Sequence, residues 1–254
     1  MDVNSNRYTF IFATVMVVVV AASLAFAATS LSERQEINRR AEKMQDILSS
    51  IGIKTVEQDG EEVFLSRDLA EENYDKYIVE ELALRSDGSI DESVNAFDVD
   101  LGQEVRKPVD QQVFPLYIAE VEGKKYYIVP LYGSGLWDAI WGYMSLKDDV
   151  NTVQGTIFDH KGETAGLGAE ITKDWFEDSF IDEKILDKDG NLVGISVVKG
   201  YTGGNDKDDH AVDGISGSTL TANGVENMIQ ERLRHYVPYF QEHTDVKIQY
   251  SKNL

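Results

Sequence analysis

The chain has 254 residues, a formal net charge of −21 and no cysteine. That length supports the core of one large domain or two smaller ones. The acidic surface repels phosphate backbones, which argues against nucleic-acid binding. Without cysteine the chain has no thiol nucleophile and no thiolate ligand for an iron–sulfur cluster, so redox chemistry would require a bound cofactor.

Residues 8–28 contain no charged side chain, and this segment is long enough to cross a bilayer as one helix. A cleaved signal peptide is the alternative, because AFA at residues 25–27 looks like a cleavage site. An apolar signal core has about 7–15 residues, so the length favours an uncleaved anchor. The basic residues that follow would place the rest of the chain in the cytoplasm by the positive-inside rule, but large domains can translocate regardless. Charge therefore leaves the side of the membrane open.

Residues 32–51 carry an apolar stripe at steps of three and four, which predicts a helix that Ser32 caps and Gly52 ends. Residues 54–110 are acidic and irregular, and no chemistry is identified there. Within them, 63–65 and 77–79 could be strands or helical turns, and Asp87-Gly88 indicates a turn.

From residue 115 onward, the sequence shows both strand and helix patterns. Strands are predicted at 116–121 and 125–130, joined by a tight turn as a hairpin, and again at 152–159 and 192–199. Short helices are expected within 172–187, and a longer helix over 219–236 should end at Pro238. The predicted fold is α+β, a single N-terminal transmembrane helix followed by a mixed domain. The expected divisions are 1–29 (N-terminus and anchor), 30–114 (helix and acidic segment), 115–240 (main domain) and 241–254 (tail).

The segment DGISGSTLT at residues 213–221 leads directly into the late helix. Its small residues allow close approach of a ligand, and free N–H groups at a helix start favour a phosphate. The alternative is ordinary capping of the helix by Ser218, Thr219 or Thr221.

This segment resembles the flavinylation motif D-x-x-S/T-G-A-S/T of the FMN-binding domain family. Asp213, Ser216 and Gly217 match the motif, while Ser218 stands where alanine is usual. The resemblance implies that a flavin transferase joins FMN through its phosphate to the hydroxyl of Thr219.

Two further segments resemble the same family: GSGLW at 133–137, and HKGETAGLG at 160–168, where Ala165 replaces a proline. The resemblance places Leu136, Trp137 and Leu167 around the flavin ring, with hydrogen bonds from Glu163 and Thr164. Glycines permit a tight loop against a ligand. The full set of expected cofactor-binding residues is Leu136, Trp137, Glu163, Thr164, Gly166, Leu167, Asp213, Ser216, Gly217, Ser218 and Thr219.

The anchor, the long segment before GSGLW and the total length are similar to the C subunit of sodium-translocating NADH:quinone reductases. That resemblance implies a bacterial inner-membrane protein with its soluble part on the periplasmic side. It would relay electrons from NADH towards ubiquinone or menaquinone, coupled to sodium export, among the other subunits. The G subunit of Rnf-type electron-transport complexes is one alternative. A non-redox anchored binding or assembly module is the other.

The loop at 202–213 alternates Asp206, Asp208 and His210 but lacks the glycine and closing glutamate of a calcium loop. A solvated acidic loop is the better interpretation. The four histidines show no zinc spacing. We therefore expect no metal site and no catalytic residue, only a relay whose cofactor performs the electron chemistry.

Overall fold

The computed structural model describes residues 5–58, 60–203 and 206–250, which form two compact units, Met1–Lys43 and Met44–Leu254. The remainder lies outside the described residues: the first four residues of the expected N-terminal segment, Asp59, Gly204 and Asn205 of the acidic loop, and the last four of the tail.

Helix α1 (Asn6–Ser50) runs without interruption through the apolar segment and the predicted second helix. The predicted cap at Ser32 was wrong. Its hydroxyl donates to Thr29 O within the helix, because no glycine or proline between residues 28 and 32 breaks the backbone. The helix ends at Ser50, two residues before Gly52, as predicted.

Within the described residues, α1 is the one helix that is long and apolar enough to cross a bilayer. Its most apolar stretch has a mean hydropathy of 2.6 and no buried residue. A signal sequence near an N-terminus meets the same criteria. Length and composition therefore agree with an anchor and do not distinguish it from a signal sequence.

The second unit begins with the last turns of α1 and continues through short strands and helices. In chain order these are β1 (Thr55–Gln58), β2 (Glu61–Phe64), α2 (Arg67–Tyr77), β3 (Ile78–Leu84), α3 (Leu101–Glu104), β4 (Phe114–Val121), β5 (Lys124–Ser134), β6 (Ala139–Lys147), β7 (Val153–His160), α4 (Asp174–Glu177), β8 (Ser196–Val198), β9 (Ala211–Asp213), α5 (Thr219–Leu233) and α6 (Val237–His243).

A five-stranded antiparallel sheet in the order β3-β4-β5-β6-β7 forms the centre of this unit. Strands β1 and β2 form a separate antiparallel pair, and β8 and β9 form a parallel pair. Strand β3 lies before residue 114 and pairs with β4 after it, so the sheet draws on both of the expected segments. The α+β prediction is confirmed.

The predicted hairpin at residues 122–124 is confirmed by β4 and β5, and β7 matches the predicted strand at 152–159. Strand β6 was missed, because most of its residues are buried and both faces are covered, which removes a simple alternation of apolar and polar residues. Only residues 196–198 of the predicted strand at 192–199 form one. The role given to Pro238 was wrong: α5 ends at Leu233, and Pro238 lies in the first turn of α6, where its missing N–H costs nothing.

Alternate residues of the strands contribute to two cores, one on each face of the sheet. On one face, Leu116 and Val129 pack with Val225 and Ile229 of α5. On the other face, Tyr117 and Ile128 pack with the last turns of α1 and with α2. The sheet therefore holds α5 in place from one side while the end of α1 closes the opposite side.

Helix α5 approaches the end of β5 at contacts that only glycine permits. A Cβ at Gly224 would lie 2.3 Å from Ser134 O, and one at Gly133 would lie 2.8 Å from Met228 Cβ. These close approaches bring the first turn of α5 next to the loop that follows β5. The same contacts therefore bring two of the three family segments together.

We predict that Gly224→Ala destabilises the protein although alanine favours a helix. The new methyl group must displace the Ser134 carbonyl, at a cost of about 1–3 kcal/mol, which exceeds the helical gain of about 0.5–1 kcal/mol. Asn223→Ala, on the exposed side of the same turn, is the matched control and should be neutral or slightly stabilising. Denaturant unfolding of the detergent-solubilised chain measures both, and equal stability of the two variants would contradict the packing described.

A buried carboxyl group lies under β7. Glu177 is 5% exposed, and its Oε1 accepts a hydrogen bond from Phe158 N at 2.8 Å. Burial raises the pKa of Glu177 to about 7 from 4.5. The folded protein therefore holds this proton more tightly than the unfolded chain does.

This shift predicts a pH dependence of stability. The contribution of protonated Glu177, about 1–3 kcal/mol, should be complete below pH 4.5 and lost as the pH rises through about 7. Glu177→Gln keeps the acceptor for Phe158 N but cannot ionise, so the stability of the variant should fall less between pH 5 and pH 8. Glu120→Gln, at an exposed position, is the control. Parallel melting-temperature profiles for wild type and Glu177→Gln would refute the assignment.

Candidate cofactor site

Three loops meet beside the first turn of α5. The GSGLW segment forms the end of β5 and the following turn, the HKGETAGLG segment follows β7, and the DGISGST segment joins β9 to α5. A Cβ at Gly217, which has a φ of +81°, would lie 2.9 Å from Leu167 Cδ2. The motif turn therefore lies directly against the second loop, and glycine is required there for both backbone and space.

The carboxylate of Glu163 connects the first two loops to the first turn of α5. Its Oε1 accepts a hydrogen bond from Trp137 N at 2.9 Å, and its Oε2 accepts one from Thr221 Oγ1 at 2.7 Å. Glu163 is 8% exposed, and its own N–H donates to His160 Nδ1 at 3.2 Å. Both carboxylate oxygens thus already have protein donors, which suits a buried charge.

Glycines make room for this carboxylate on two sides. A Cβ at Gly135 would lie 2.4 Å from Glu163 Oε1, and one at Gly168 would lie 2.2 Å from Oε2 and 2.6 Å from Thr221 Oγ1. The glycines at these positions are therefore packing requirements of the Glu163 hydrogen bonds.

The outer ends of the first two loops are also tied together. Lys161 Nζ lies 3.0 Å from Asp138 Oδ2, and Lys161 N donates to Ala139 O. The hydrogen bond from Ala139 N and the lysine beside it hold the pKa of Asp138 below its usual value. The pair is exposed to solvent, so it contributes little to stability and serves mainly to orient the two loops.

The hydroxyl groups of the motif differ in accessibility. Ser218 and Thr221 are buried, whereas Ser216 and Thr219 are exposed. Ser218 occupies the N-cap position of α5, but its side chain makes no capping hydrogen bond. Within the described residues, the N–H groups of Thr219, Leu220 and Thr221 have no acceptor. An exposed hydroxyl therefore lies at a helix start with free donors, the environment that suits a phosphate.

Apolar side chains stand exposed around this turn. Trp137 is 69% exposed, Leu220 61%, Leu136 46% and Leu167 39%. Large apolar side chains gathered on a polar surface are typical of a binding site, and an indole is a suitable wall for a flat aromatic ring. These residues fit FMN: the hydroxyl and free amides suit its phosphate, and the apolar group suits its ring.

The remaining predicted site residues lie nearby. The Thr164 carbonyl accepts hydrogen bonds from Leu167 N and Ala169 N, which closes the second loop around Gly166. Asp213 Oδ1 accepts from Tyr201 N at 3.1 Å, so this carboxylate orders the chain that enters the motif.

The acidic segment, for which the sequence indicated no chemistry, also contributes to the surroundings of this site. A depression of about 350 Å³ lies beside Trp137, and its other wall comes from Gly102, Val105 and Arg106 at α3. No sequence signal identifies these residues, because their position depends on packing between distant parts of the chain. Thr221 could have been found, since it belongs to the motif segment itself.

The acidic loop is held by a lysine. Lys207 Nζ donates to Glu183 Oε1 and to Ser179 O, each at 2.9 Å, and His210 Nδ1 lies 2.8 Å from Lys184 O. In the part of the chain that the structure describes, no three histidine, aspartate or glutamate side chains are grouped as metal ligands.

The model of the FMN-binding domain family matches residues 135–234, which include the second and third segments and the last three residues of GSGLW. Over 220 residues the chain is 32% identical to the C subunit of the Na(+)-translocating NADH-quinone reductase of Haemophilus ducreyi, covering 80% of each chain. With the subunit of the same name from Neisseria meningitidis serogroup A it shares 30% identity over 253 residues, covering 90% of this chain and 93% of the relative. The chain belongs to the family of C subunits of Na(+)-translocating NADH-quinone reductases. The narrower resemblance in the sequence is thereby confirmed.

Solved structures from this family agree with the fold. The crystal structure of the C subunit from Parabacteroides distasonis superimposes with a TM-score of 0.71 at 36% identity, covering 82% of this chain and 96% of the other. The Shewanella oneidensis structure, with a TM-score of 0.67 and 22% identity, covers 80% of this chain and 97% of the other and supports the fold alone.

We predict that Gly168→Ala destabilises the protein by about 1–3 kcal/mol, because its methyl group would overlap the buried Glu163 carboxylate and the Thr221 hydroxyl. Gly162→Ala, in the same loop, meets no atom within 4 Å and is the matched control. Thermal unfolding compares them. A Gly168→Ala variant as stable as Gly162→Ala would show that the carboxylate is not confined as described.

Proposed function

We propose that this chain is an electron-transfer subunit of a sodium-translocating NADH:quinone reductase, with FMN joined through its phosphate to Thr219. The family, the FMN-binding domain match and the convergence of three loops on one turn support this function. The observation that carries it is the exposed Thr219 hydroxyl beside three free backbone amides at the start of α5. Bound FMN would supply the ability to accept and release electrons, and the chain has no cysteine whose thiol could do so.

Thr219 differs from the neighbouring serine and threonine residues in its exposure and in its position. Thr221 is fully buried and donates to Glu163, and Ser218 is 4% exposed. Ser216 is exposed but lies before the helix, away from the free amides of the first turn. Thr219 alone combines an accessible hydroxyl with the helix start, so a phosphoester there would gain from the helix dipole.

The ring-binding part is assigned to the loops around Trp137. We assign Leu136, Trp137 and Leu167 to the apolar walls, and add Leu220 because of its exposure in the same turn. The Thr164 hydroxyl has no protein partner within the described residues and is available to the cofactor. Gly166, Asp213, Ser216, Gly217 and Ser218 shape the loops, and residues 115–240 form the segment that holds the cofactor.

Membership of the family supports a proposal for the setting of the protein. We propose that α1 anchors the chain in the bacterial inner membrane, that the cofactor domain faces the periplasm, and that a flavin transferase attaches FMN. Other subunits would supply electrons from NADH and pass them towards a quinone, coupled to sodium export. No group of this chain is assigned to NADH or quinone, so its own task is relay: to hold the flavin in place and control its surroundings.

Thr219→Val should abolish covalent flavin. The variant keeps the size and β-branching of threonine but removes the oxygen that the phosphoester needs. In-gel flavin fluorescence under denaturing conditions, after co-expression with a flavin transferase, measures the result. Thr219→Ser should restore fluorescence and Ser218→Ala should retain it. Fluorescence that survives in Thr219→Val, or is lost in Ser218→Ala, would overturn the assignment of the acceptor.

A further inference from the structure

Glu163 makes contacts that a generic buried residue would not. Its two carboxylate oxygens receive hydrogen bonds from two different elements, the loop after β5 and the first turn of α5, while the residue itself belongs to the loop after β7. The two carboxylate oxygens of Glu163 therefore link three segments that are distant in the sequence. Charge-assisted hydrogen bonds of this kind are stronger than neutral ones, so they define relative positions well.

In the part of the chain that the structure describes, this carboxylate makes no salt bridge. No lysine, arginine or histidine nitrogen of those residues lies within 4 Å of the Glu163 oxygens, and both donors are neutral. A Cβ at either Gly135 or Gly168 would overlap the carboxylate, so glycine at both positions leaves space for this group. The surroundings are thus built around two acceptor oxygens at fixed positions.

The two donors bear directly on the cofactor site. Trp137 N belongs to the residue with the most exposed aromatic side chain at the site, and Thr221 lies two residues after the proposed acceptor. Because the Glu163 carboxylate fixes both donors, it sets the distance between the Trp137 indole and the turn that carries the Thr219 hydroxyl. It also keeps the Thr221 hydroxyl inside the protein, away from a competing acceptor role.

We propose that Glu163 is a positioning residue of the cofactor site: through its carboxylate it holds the Trp137 loop against the first turn of α5. This role rests on the proposed function, because it concerns the spacing between the ring site and Thr219. A direct hydrogen bond between flavin and Glu163 is not required for it. Glu163→Gln retains an acceptor for Trp137 N, and its amide can donate to the Thr221 oxygen, so it should conserve the arrangement that Glu163→Ala destroys.

The test begins with the unloaded full chain in detergent, made without a flavin transferase. Hydrogen exchange of the Trp137 amide should be about tenfold faster in Glu163→Ala than in wild type, because one hydrogen bond of ordinary strength is lost. Glu163→Gln should exchange within about threefold of wild type by the same reasoning. An unchanged rate in a folded Glu163→Ala variant would overturn the proposal.

A second pair of variants covers the case in which Glu163→Ala fails to fold. Thr221→Val removes only the hydroxyl donor, and Thr221→Ser keeps it. Exchange of the Ala222 amide, which donates to Ser218 O, should accelerate in Thr221→Val and not in Thr221→Ser, whereas equal rates in the two would contradict the role of this bond.

The same variants, made with a flavin transferase so that they carry FMN, then distinguish the positioning role of Glu163 from the proposed function. The visible circular dichroism of the bound flavin should change in Glu163→Ala or Thr221→Val and stay close to wild type in the conservative variants. An identical spectrum in all four would overturn the positioning role. Absence of covalent flavin from wild type would instead refute the proposed function, while the exchange measurements on the unloaded chain would still decide whether Glu163 joins the loops.

Discussion

A buried carboxylate that receives two neutral hydrogen-bond donors holds the site of this protein together. Glu163 joins the amide of Trp137 to the hydroxyl of Thr221 and so connects the loops after β5 and β7 to the first turn of α5. An unsatisfied charge at this depth would be costly, so the two donors and the carboxylate depend on one another. Each loop alone would be an ordinary surface turn, and the carboxylate makes them one site.

The rest of the fold serves to bring these loops within reach. Helix α5 lies against β5 through glycine contacts at 133 and 224, and the apolar core beneath fixes its orientation. The opposite face of the sheet is closed by the last turns of α1 and by α2. Burial on both faces makes the central sheet rigid, and rigid elements carry binding loops more accurately than flexible ones.

Local patterns allowed much of this fold to be predicted. The alternating strands around residues 122–124 and the apolar stripe of α5 depend on neighbours in sequence, so they could be read directly. Strand β6 could not, because a central strand covered on both faces loses the alternation that identifies one. A proline after an apolar run, such as Pro238, fits the end of one helix and the start of another equally well, so the sequence pattern does not decide between them.

The candidate site could be predicted only in part, for the same reason. Resemblance to a family pointed to candidate residues in the motif segments, including Thr219 and Trp137, and their assignment to the cofactor stays a prediction. The contacts of Glu163, and the depression that α3 lines, stayed hidden because they join residues far apart in the chain.

The central claim is that one oxygen at the start of α5 bears the cofactor. Intact-mass analysis of the full chain co-expressed with a competent flavin transferase, followed by fragmentation of the modified peptide, tests it most directly. The account predicts one added FMN per chain, located on Thr219. An unmodified chain, or FMN located on another residue, would contradict it.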